Sequence, residues 1–190
     1  NVFIGNQSGL DNLGGANNVF LGYQSGYNNT SGSYNQFVGY QAGYSNTIGN
    51  NNLFMGYQAG RANVDGDSSL YIGYKAGLVN VSGNSNTFIG YAAGAASTNS
   101  GNTFIGSYAG NKATSGFRNT LIGTYAGKNL LTGSENTIIG WGAGNSLNYD
   151  VGNVFIGYNA GYNETGSRKL YIDNTATSNP IIYGELNTYP

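Results

Sequence analysis

Apolar and polar positions along the chain form short groups that recur at a fixed interval. A nine-residue phrase, most commonly Asn-x-Phe-Ile-Gly-Tyr-x-Ala-Gly, begins at residues 1, 18, 35, 52, 69, 86, 102, 119, 136 and 153. Nearly all intervals are 17 residues, and the repeats that begin at 86 and 153 are one residue shorter. About eight polar residues with a further Gly separate the phrases. This pattern predicts one short strand in each phrase, and a second short strand and a turn in each polar segment.

A unit of 17 residues is too short to bury its own apolar side chains, so it must stack on copies of itself. We therefore predict an all-β fold, a parallel β-solenoid (β-roll) of about ten 17-residue coils, over residues 1–168. Residues 169–190 are predicted to form a degenerate last coil and a cap or linker. Positions 1 to 17 below count from the first residue of each phrase.

Stacking turns each repeated position into a ladder along the solenoid axis. Asn occupies position 1 in nine of ten copies, and its side chain is expected to hydrogen-bond to the coils above and below. Gly occupies position 5 in all ten copies, which indicates a positive φ or a close backbone approach. The predicted structural ladders comprise Asn18, Asn35, Asn52, Asn86, Asn102, Asn119, Asn136 and Asn153; Phe20, Phe37, Phe54, Phe88 and Phe104; and Gly22, Gly39, Gly56 and Gly90.

Positions 3 and 4 are both apolar in every copy, although neighbouring residues of a strand point to opposite faces. One row can fill the interior of the solenoid. The other needs a dry partner, because a continuous apolar ladder facing water would be an interaction patch. We therefore predict contact between subunits, with solenoids side by side in a homotrimer.

Position 6 carries an aromatic residue in most copies and a small or polar residue in the others, which is typical of an exposed or half-exposed face. We interpret this row as a ligand-contact or subunit-contact surface. Amphipathic rings on a rigid sheet can stack on sugars, and packing between subunits accounts for the same pattern. The candidate residues are Tyr23, Tyr40, Tyr57, Tyr74, Tyr91, Trp141 and Tyr158.

Composition narrows the possible functions. Charged residues make up only 8% of the chain, with seven basic and eight acidic residues, and Cys and His are absent. The chain therefore lacks thiol chemistry, disulfides and a histidine general base. The basic residues are scattered, so no stripe neutralises a nucleic acid backbone. No apolar run approaches the length of a membrane helix, and we expect no membrane insertion in this segment.

Few residues suggest a ligand or a modification. Asp65 and Asp67 flank a Gly and form the only close acidic pair, which could hold Ca²⁺, although a solvated turn accounts for them better. We therefore expect no metal site, no cofactor and no catalytic residues. Glycosylation sequons begin at Asn28, Asn29, Asn80 and Asn163, which the abundance of Asn also explains.

The repeated phrase resembles the head repeats of trimeric autotransporter adhesins, which pack parallel β-rolls three to a stalk. It is still more similar to the Asn-Thr-Phe-Ile-Gly-Tyr-x-Ala-Gly-Tyr repeats of tail-fibre-like and adhesin-like surface proteins of Bacteroidetes and their phages, as at residues 86–91 and 153–162. The resemblance covers residues 1–172. Residues 169–174 and 180–185 resemble the closing segment of those proteins. The chain differs from the adhesin heads in having Phe and Ile adjacent. The resemblance implies an extracellular trimeric fibre.

We therefore expect a structural or adhesive segment of an extracellular fibre, on a cell surface or a virion, without catalysis. Its expected partners are copies of itself and a glycan or protein receptor on a host surface. The alternative is a monomeric solenoid that binds a repetitive target, either a polysaccharide or ice. Ice binding would favour a flat, regular Thr array, whereas Thr residues are spread among second positions (Thr87, Thr103, Thr120 and Thr137) and linkers.

Overall fold

The computed structural model describes residues 1–185, and the only regular elements in that range are short β-strands. Each of the first ten strands covers positions 2 to 4 of one repeat. The strands are β1 Val2–Ile4, β2 Val19–Leu21, β3 Gln36–Val38, β4 Leu53–Met55, β5 Leu70–Ile72, β6 Thr87–Ile89, β7 Thr103–Ile105, β8 Thr120–Ile122, β9 Thr137–Ile139, β10 Val154–Ile156, β11 Lys169–Ile172 and β12 Ile182–Glu185.

The strands form one sheet in chain order, and β1 to β11 pair in parallel with every repeat position aligned. Consecutive coils of the same chain therefore stack directly, which confirms the parallel β-solenoid. At the usual strand spacing of about 4.8 Å, ten coils form a rod segment about 48 Å long. The last strand, β12, pairs with β11 in antiparallel orientation.

The predicted second strand of each coil is wrong. Within residues 1–185 the polar segments form turns and bends, and hydrogen bonds between coils still hold them in register. The amides of Leu13, Gly14 and Gly15, for example, all donate to the carbonyl of Thr30 in the next coil. A single acceptor shared by three donors satisfies the backbone without the alternating ladder that a strand requires.

The interior contains the row at position 3, and the row at position 4 faces outward. The rings of Phe20, Phe37 and Phe54 are fully buried, with centroids of successive rings 4.9 Å apart. Positions 1, 8 and 12 complete the narrow core, because their side chains are also buried in nearly every coil. Positions 2 and 4 lie on the opposite side of the sheet, which we call the outer face.

The Gly row at position 5 has the positive φ and the close approach that the sequence indicates, and a second Gly row, at position 9, has both features as well. Gly90, at position 5, has φ +132°, and a Cβ there would lie 2.6 Å from the backbone of Gly106 in the next coil. Gly94, at position 9, has φ +56°, and a Cβ there would lie 2.8 Å from the ring of Phe88. These residues therefore combine a left-handed backbone with a close contact that only Gly permits.

Positive φ also occurs at residues other than Gly, which sequence reasoning missed. The residues at positions 7 and 17 of each coil are left-handed, and only Gly101, Gly142 and Gly152 among them are Gly; examples of the others are Gln24 at +52° and Tyr34 at +60°. Gln, Lys, Ala, Tyr, Arg, Glu, Ser and Asn all occur at these two positions, so composition gave no signal. Such a conformation costs roughly 1 kcal/mol per residue, and stacking in register must offset it.

The Asn row at position 1 does form a ladder, as predicted. The Oδ1 of Asn18 accepts a hydrogen bond from the amide of Asn35 at 2.8 Å, and its Nδ2 donates to the carbonyl of Gly32 at 2.8 Å. The same pair of contacts recurs through Asn35 and Asn52. Each side chain thus joins two points of backbone that would otherwise be buried without partners.

Residues 169–185 close the sheet at its C-terminal end. Lys169 donates to Glu185 at 2.5 Å and to the hydroxyl of Tyr183 at 3.2 Å, so the first and last residues of this hairpin are joined. These contacts raise the pKa of Lys169. Because β12 runs antiparallel to the other strands, it ends the parallel stacking that the coils propagate.

Candidate functional site

The aromatic residues at position 6 form one continuous column on the solenoid surface. Tyr23, Tyr40, Tyr57 and Tyr74 are each 38–43% exposed, and their rings are stacked with centroids 5.0–5.4 Å apart. The structure therefore brings the candidate residues from separate repeats together. We call this column the surface aromatic row.

The row continues through two coils that lack an aromatic residue at position 6. Coils 7 and 8 have Ser107 and Thr124 there, and Tyr108 and Tyr125 follow at position 7. The ring of Tyr108 lies 5.1 Å from that of Tyr91 and 5.6 Å from that of Tyr125. Trp141 and Tyr158 complete a column of nine rings. Sequence reasoning missed the two rings because it compared residues only at equal positions.

Stacking limits what the surface aromatic row can bind. In coils 2 to 6, neighbouring rings are inclined to one another by only 7–14°, so each ring covers much of the face of the next. A sugar stacks on the face of a ring. This part of the row exposes mainly the edges and hydroxyl groups of its rings. Such a surface favours contact with another protein surface over stacking on a glycan.

The outer face consists of the side chains at positions 2 and 4 of every strand. Position 4 is aliphatic throughout, and most of its residues are half-buried, with Ile4, Met55 and Ile139 exposed at 60%, 42% and 36%. No charged residue occurs at either position of β1 to β10. The outer face is thus a long, flat and uncharged strip, of the kind that marks an interaction site.

The second-position Thr residues are not spread out as the sequence suggested. Thr87, Thr103, Thr120 and Thr137 lie in four consecutive strands and pair directly with one another in the parallel register. They form a half-buried Thr ladder beside the Ile ladder of the same strands. The equivalent positions of β2 to β5 are Val19, Gln36, Leu53 and Leu70.

Asp67 of the acidic pair is engaged in hydrogen bonds with the preceding coil. Asp67 Oδ1 accepts hydrogen bonds from the backbone amide and the side-chain Nδ2 of Asn50, at 2.5 and 3.3 Å. Asp67 is thus part of a ladder at position 16. In this ladder, the polar side chain of one coil accepts a hydrogen bond from the position-16 amide of the preceding coil. Among residues 1–185, no group of three or more Asp, Glu, His or Cys side chains could hold a metal ion.

Two of the four sequons named above are inaccessible. Asn29 and Asn80 are fully buried at position 12, and the Nδ2 of Asn29 is 2.6 Å from Asn12 Oδ1. Asn28 is half-buried and Asn163 is exposed. The buried pair therefore belongs to the core, and of these four sequons only Asn28 and Asn163 are accessible. A fifth sequon, at Asn6, was missed by sequence reasoning, and Asn6 is exposed as well.

Shifted pKa values occur at buried tyrosines and at the C-terminal end. Burial raises the pKa of Tyr71 to about 12, and the nearby side chains of Ser69 and Asn86 oppose this shift without completing a hydrogen bond to its hydroxyl. Desolvation and a hydrogen bond to Glu164 raise the pKa of Tyr171 to about 12. The hydroxyl of Thr175 and the amide of Ile181 lower the pKa of Asp173. Tyr171 and Asp173 thus lie together at the C-terminal end of the sheet, whereas Tyr71 lies in β5.

The fold defines the chain as a tandem-repeat β-solenoid protein. Comparison with protein-family models, with curated proteins and with solved structures gave no match. Over residues 1–185 the structure contains no helix that could span a membrane.

Proposed function

We propose that this chain is a structural or adhesive segment of an extracellular fibre, on a cell surface or a phage tail, in which three copies lie side by side and catalyse no reaction. The observation that carries the proposal is the outer face. Ten strands present aliphatic side chains in register along about 48 Å, and no part of the chain within residues 1–185 covers them.

The stiffness of the solenoid also supports a mechanical role. Strand pairing holds every coil to the next, and the Asn ladder and stacked rings join most coils as well, so bending would break many contacts together. The low charge favours close packing of copies, since few charges would need to be desolvated at a seam. The surface aromatic row lies on the next face of the coil, after the corner at position 5. The edges of its stacked rings would extend such a seam.

Multi-angle light scattering tests this proposal. We expect a particle of three times the 19.8 kDa chain mass, in the form of a short rod. Replacing Ile105→Lys on the outer face should shift the protein towards smaller species, because a seam cannot bury an unpaired charge cheaply. Ser82→Lys, on an exposed turn, is the control and should leave the mass unchanged. A well-folded monomer of the unchanged sequence would overturn the proposal.

The Thr ladder favours one second candidate, a monomeric solenoid that binds a repetitive target such as ice. Four hydroxyl groups spaced by one strand separation form a regular, flat array. The array spans only four coils, and Ile rather than Thr occupies its second column. This candidate would be supported, in place of the fibre, if the protein were a monomer that shows thermal hysteresis. The Thr103→Lys and Thr120→Lys variants should then lose this hysteresis.

A further inference from the structure

The regular outline of the solenoid is interrupted at coil 6, residues 86–101, which is one residue short. Hydrogen bonds on both sides identify the missing residue as position 14. The Thr98 hydroxyl donates to the carbonyl of Thr114, as position 13 does in other coils. Asn86 Nδ2 donates to the carbonyl of Asn99, as position 1 does to position 15 elsewhere.

A groove of about 450 Å³ lies where the turn is shortened. We call it the coil-6 groove, and the residues that line it include Asn84, Ser85, Asn99, Ser100, Phe117 and Arg118. It lies among the polar turns, at positions 15 to 17, whereas positions 2 and 4 form the outer face. The groove is thus lined by other residues than those that form the contact proposed between subunits.

The groove combines an exposed ring with a single cation. Phe117 is 42% exposed, and the Cζ of Arg118 lies 5.6 Å from the centroid of its ring. Arg118 is the only charged residue that lines the groove. Its partner Glu135 is 3.4 Å away, and both side chains are more than half exposed. An ion pair so exposed contributes little, so a ligand carboxylate can replace it.

Several polar groups that line the groove make no hydrogen bond to residues 1–185. The Nδ2 of Asn84, the Oγ of Ser85 and the Oδ1 of Asn99 make no hydrogen bond to the described protein. The amide of Ser100 is also open, because Phe117 replaces the polar side chain that caps this amide in other coils. The groove thus offers two donors, an acceptor, a hydroxyl, a ring and a cation together.

We propose that the coil-6 groove binds a sugar unit that carries a carboxylate, such as a uronic acid of an acidic polysaccharide. Arg118 pairs with the carboxylate in a bidentate manner. The exposed face of Phe117 contacts the apolar side of the sugar ring. Asn84, Asn99 and the amide of Ser100 bind its hydroxyl groups. This role goes beyond that of a shaft and does not depend on the number of chains in the fibre.

The chain contains a matched control for Arg118. Arg168 also occupies position 17, with φ +58° compared with +55° for Arg118. Each arginine packs over a Gly of the preceding coil, Gly152 or Gly101. Arg168 follows Ser167, however, so its site has a cation without the aromatic ring.

Titration of the intact chain with methyl β-D-glucuronide and methyl β-D-glucoside, followed by amide chemical shifts, tests the proposal. We expect the glucuronide to bind with a dissociation constant in the millimolar range, to shift the amides of residues 99–101 and 117–118, and to bind at least tenfold more tightly than the glucoside. Binding of the glucuronide should weaken as ionic strength rises.

Two variants assign the interactions. Arg118→Gln should weaken glucuronide binding at least tenfold and remove the preference over the glucoside, whereas Arg168→Gln should change neither. Phe117→Ser should weaken the binding of both sugars. Acetate, which has the carboxylate without the sugar, should not compete at equal concentration.

Three results would overturn the proposal. They are equal affinity for the two glycosides, unchanged binding in Arg118→Gln, and no shift of the groove amides by the glucuronide. Light scattering on the same samples reports assembly separately, so failure to bind and failure to assemble are distinguished.

Discussion

Coils 1 to 4 and coils 8 and 9 share one backbone but have different cores. In coils 1 to 4 a Phe at position 3 is combined with an Asn at position 12, as with Phe37 and Asn46. In coils 8 and 9 the pairs are Leu121 with Leu130 and Ile138 with Leu147, all fully buried. A smaller side chain at position 3 thus occurs with a larger apolar one at position 12, and the volume of the coil interior is maintained.

The amide core depends on its neighbours in a way that the apolar core does not. Asn29, Asn46 and Asn63 each donate through Nδ2 to the Oδ1 of the preceding Asn, at 2.6–2.8 Å. The ladder ends at Asn63, whose Oδ1 has no partner. Asn80 is turned instead towards Gly83 and Asn99.

Coil 6 explains where the change occurs. Its shortened turn places the carbonyl of Asn99 within reach of Asn80 Nδ2, which draws the amide out of the ladder. Position 12 then becomes Ser97, Ala113 and finally Leu. An amide in the interior is stabilised by hydrogen bonds to its neighbours along the ladder, whereas an aliphatic side chain requires only the right volume.

The corners should respond equally in the two regions, because both share them. Gly39→Val and Gly123→Val should each reduce the free energy of unfolding by about 3 kcal/mol or more, or prevent folding, because a Cβ would lie 2.5 Å from the carbonyl oxygen of the next coil. Denaturant titration measures the loss. Gly14→Val is the control, since its nearest neighbour would be 3.9 Å away. A large difference between the two halves would contradict the shared backbone.

Exchanging the residues at position 12 should separate the regions. Leu130→Asn should cost about 3–4 kcal/mol, because it removes apolar burial and places an amide between Ala113 and Leu147, where neither neighbouring coil supplies a ladder partner. Asn46→Leu should cost about 2–3 kcal/mol, because it breaks the ladder on both sides and adds volume beside Phe37. If Leu130→Asn costs less than 1 kcal/mol, the distinction between the cores fails.

A double-mutant cycle in coil 9 should show the volume coupling directly. A Cβ at Gly144 would lie 2.8 Å from Ile138 Cδ1 and 3.2 Å from Leu147 Cδ1, so both side chains surround the same point. Ile138→Phe should cost about 1–3 kcal/mol and Leu147→Ala about 2–4 kcal/mol. The double variant recreates the Phe104 and Ala113 pair of coil 7, and should be at least about 1 kcal/mol more stable than additivity predicts.

The cycle needs a distant reference. Ile181 is 84% exposed, and Ile138→Phe combined with Ile181→Ala should be additive within about 0.5 kcal/mol. Additivity of the coil 9 pair as well would show that positions 3 and 12 vary independently.

Coil 5 gives a smaller, pH-dependent effect. Tyr71 replaces Phe in the buried ring column, and Ser69 replaces Asn at position 1 beside its hydroxyl. Burial raises its pKa to about 12, from about 10 in the unfolded chain, so the folded state favours the neutral phenol. Its contribution is complete below pH 10 and is lost as the pH rises through 12, by about 2–3 kcal/mol.

Tyr71→Phe isolates this contribution from the other tyrosines. The variant should be as stable as the unchanged protein at pH 7, or more stable by less than about 1 kcal/mol, because the hydroxyl has no hydrogen bond. Between pH 10 and 12 it should lose less stability than the unchanged protein. Parallel pH profiles would show that Tyr71 is not desolvated in solution.

The smallest expected effect is that of chelation. The only close acidic pair lies in coil 4, and Asp67 is already engaged by Asn50. We expect a chelator to leave the melting temperature unchanged. A drop of several degrees, abolished in Asp65→Asn with Asp67→Asn, would reveal a cation site in the amide-cored half.

Much of the fold could be predicted because it repeats. The period established the coil, and fixed Gly and Asn positions identified corners and a hydrogen-bonded ladder. The adjacent Phe and aliphatic positions identified two apolar rows, one of which had to be the core. The pairing of positions 3 and 12 was also visible in the sequence. It was missed because position 12 varies among Asn, Ser, Ala and Leu, and no single residue type marks it as buried.

The sequence by itself determined the solenoid, its 17-residue period and the identity of its ladders, because stacking identical units leaves few other ways to bury apolar positions. Only the tertiary structure decided which of two adjacent apolar rows faces inward, because strand alternation is the same for either choice. It also decided that the polar segment turns without a second strand, and that Tyr108 and Tyr125 continue the surface aromatic row. Those outcomes depend on where one coil places its side chains relative to the next, which spacing along a single chain does not specify.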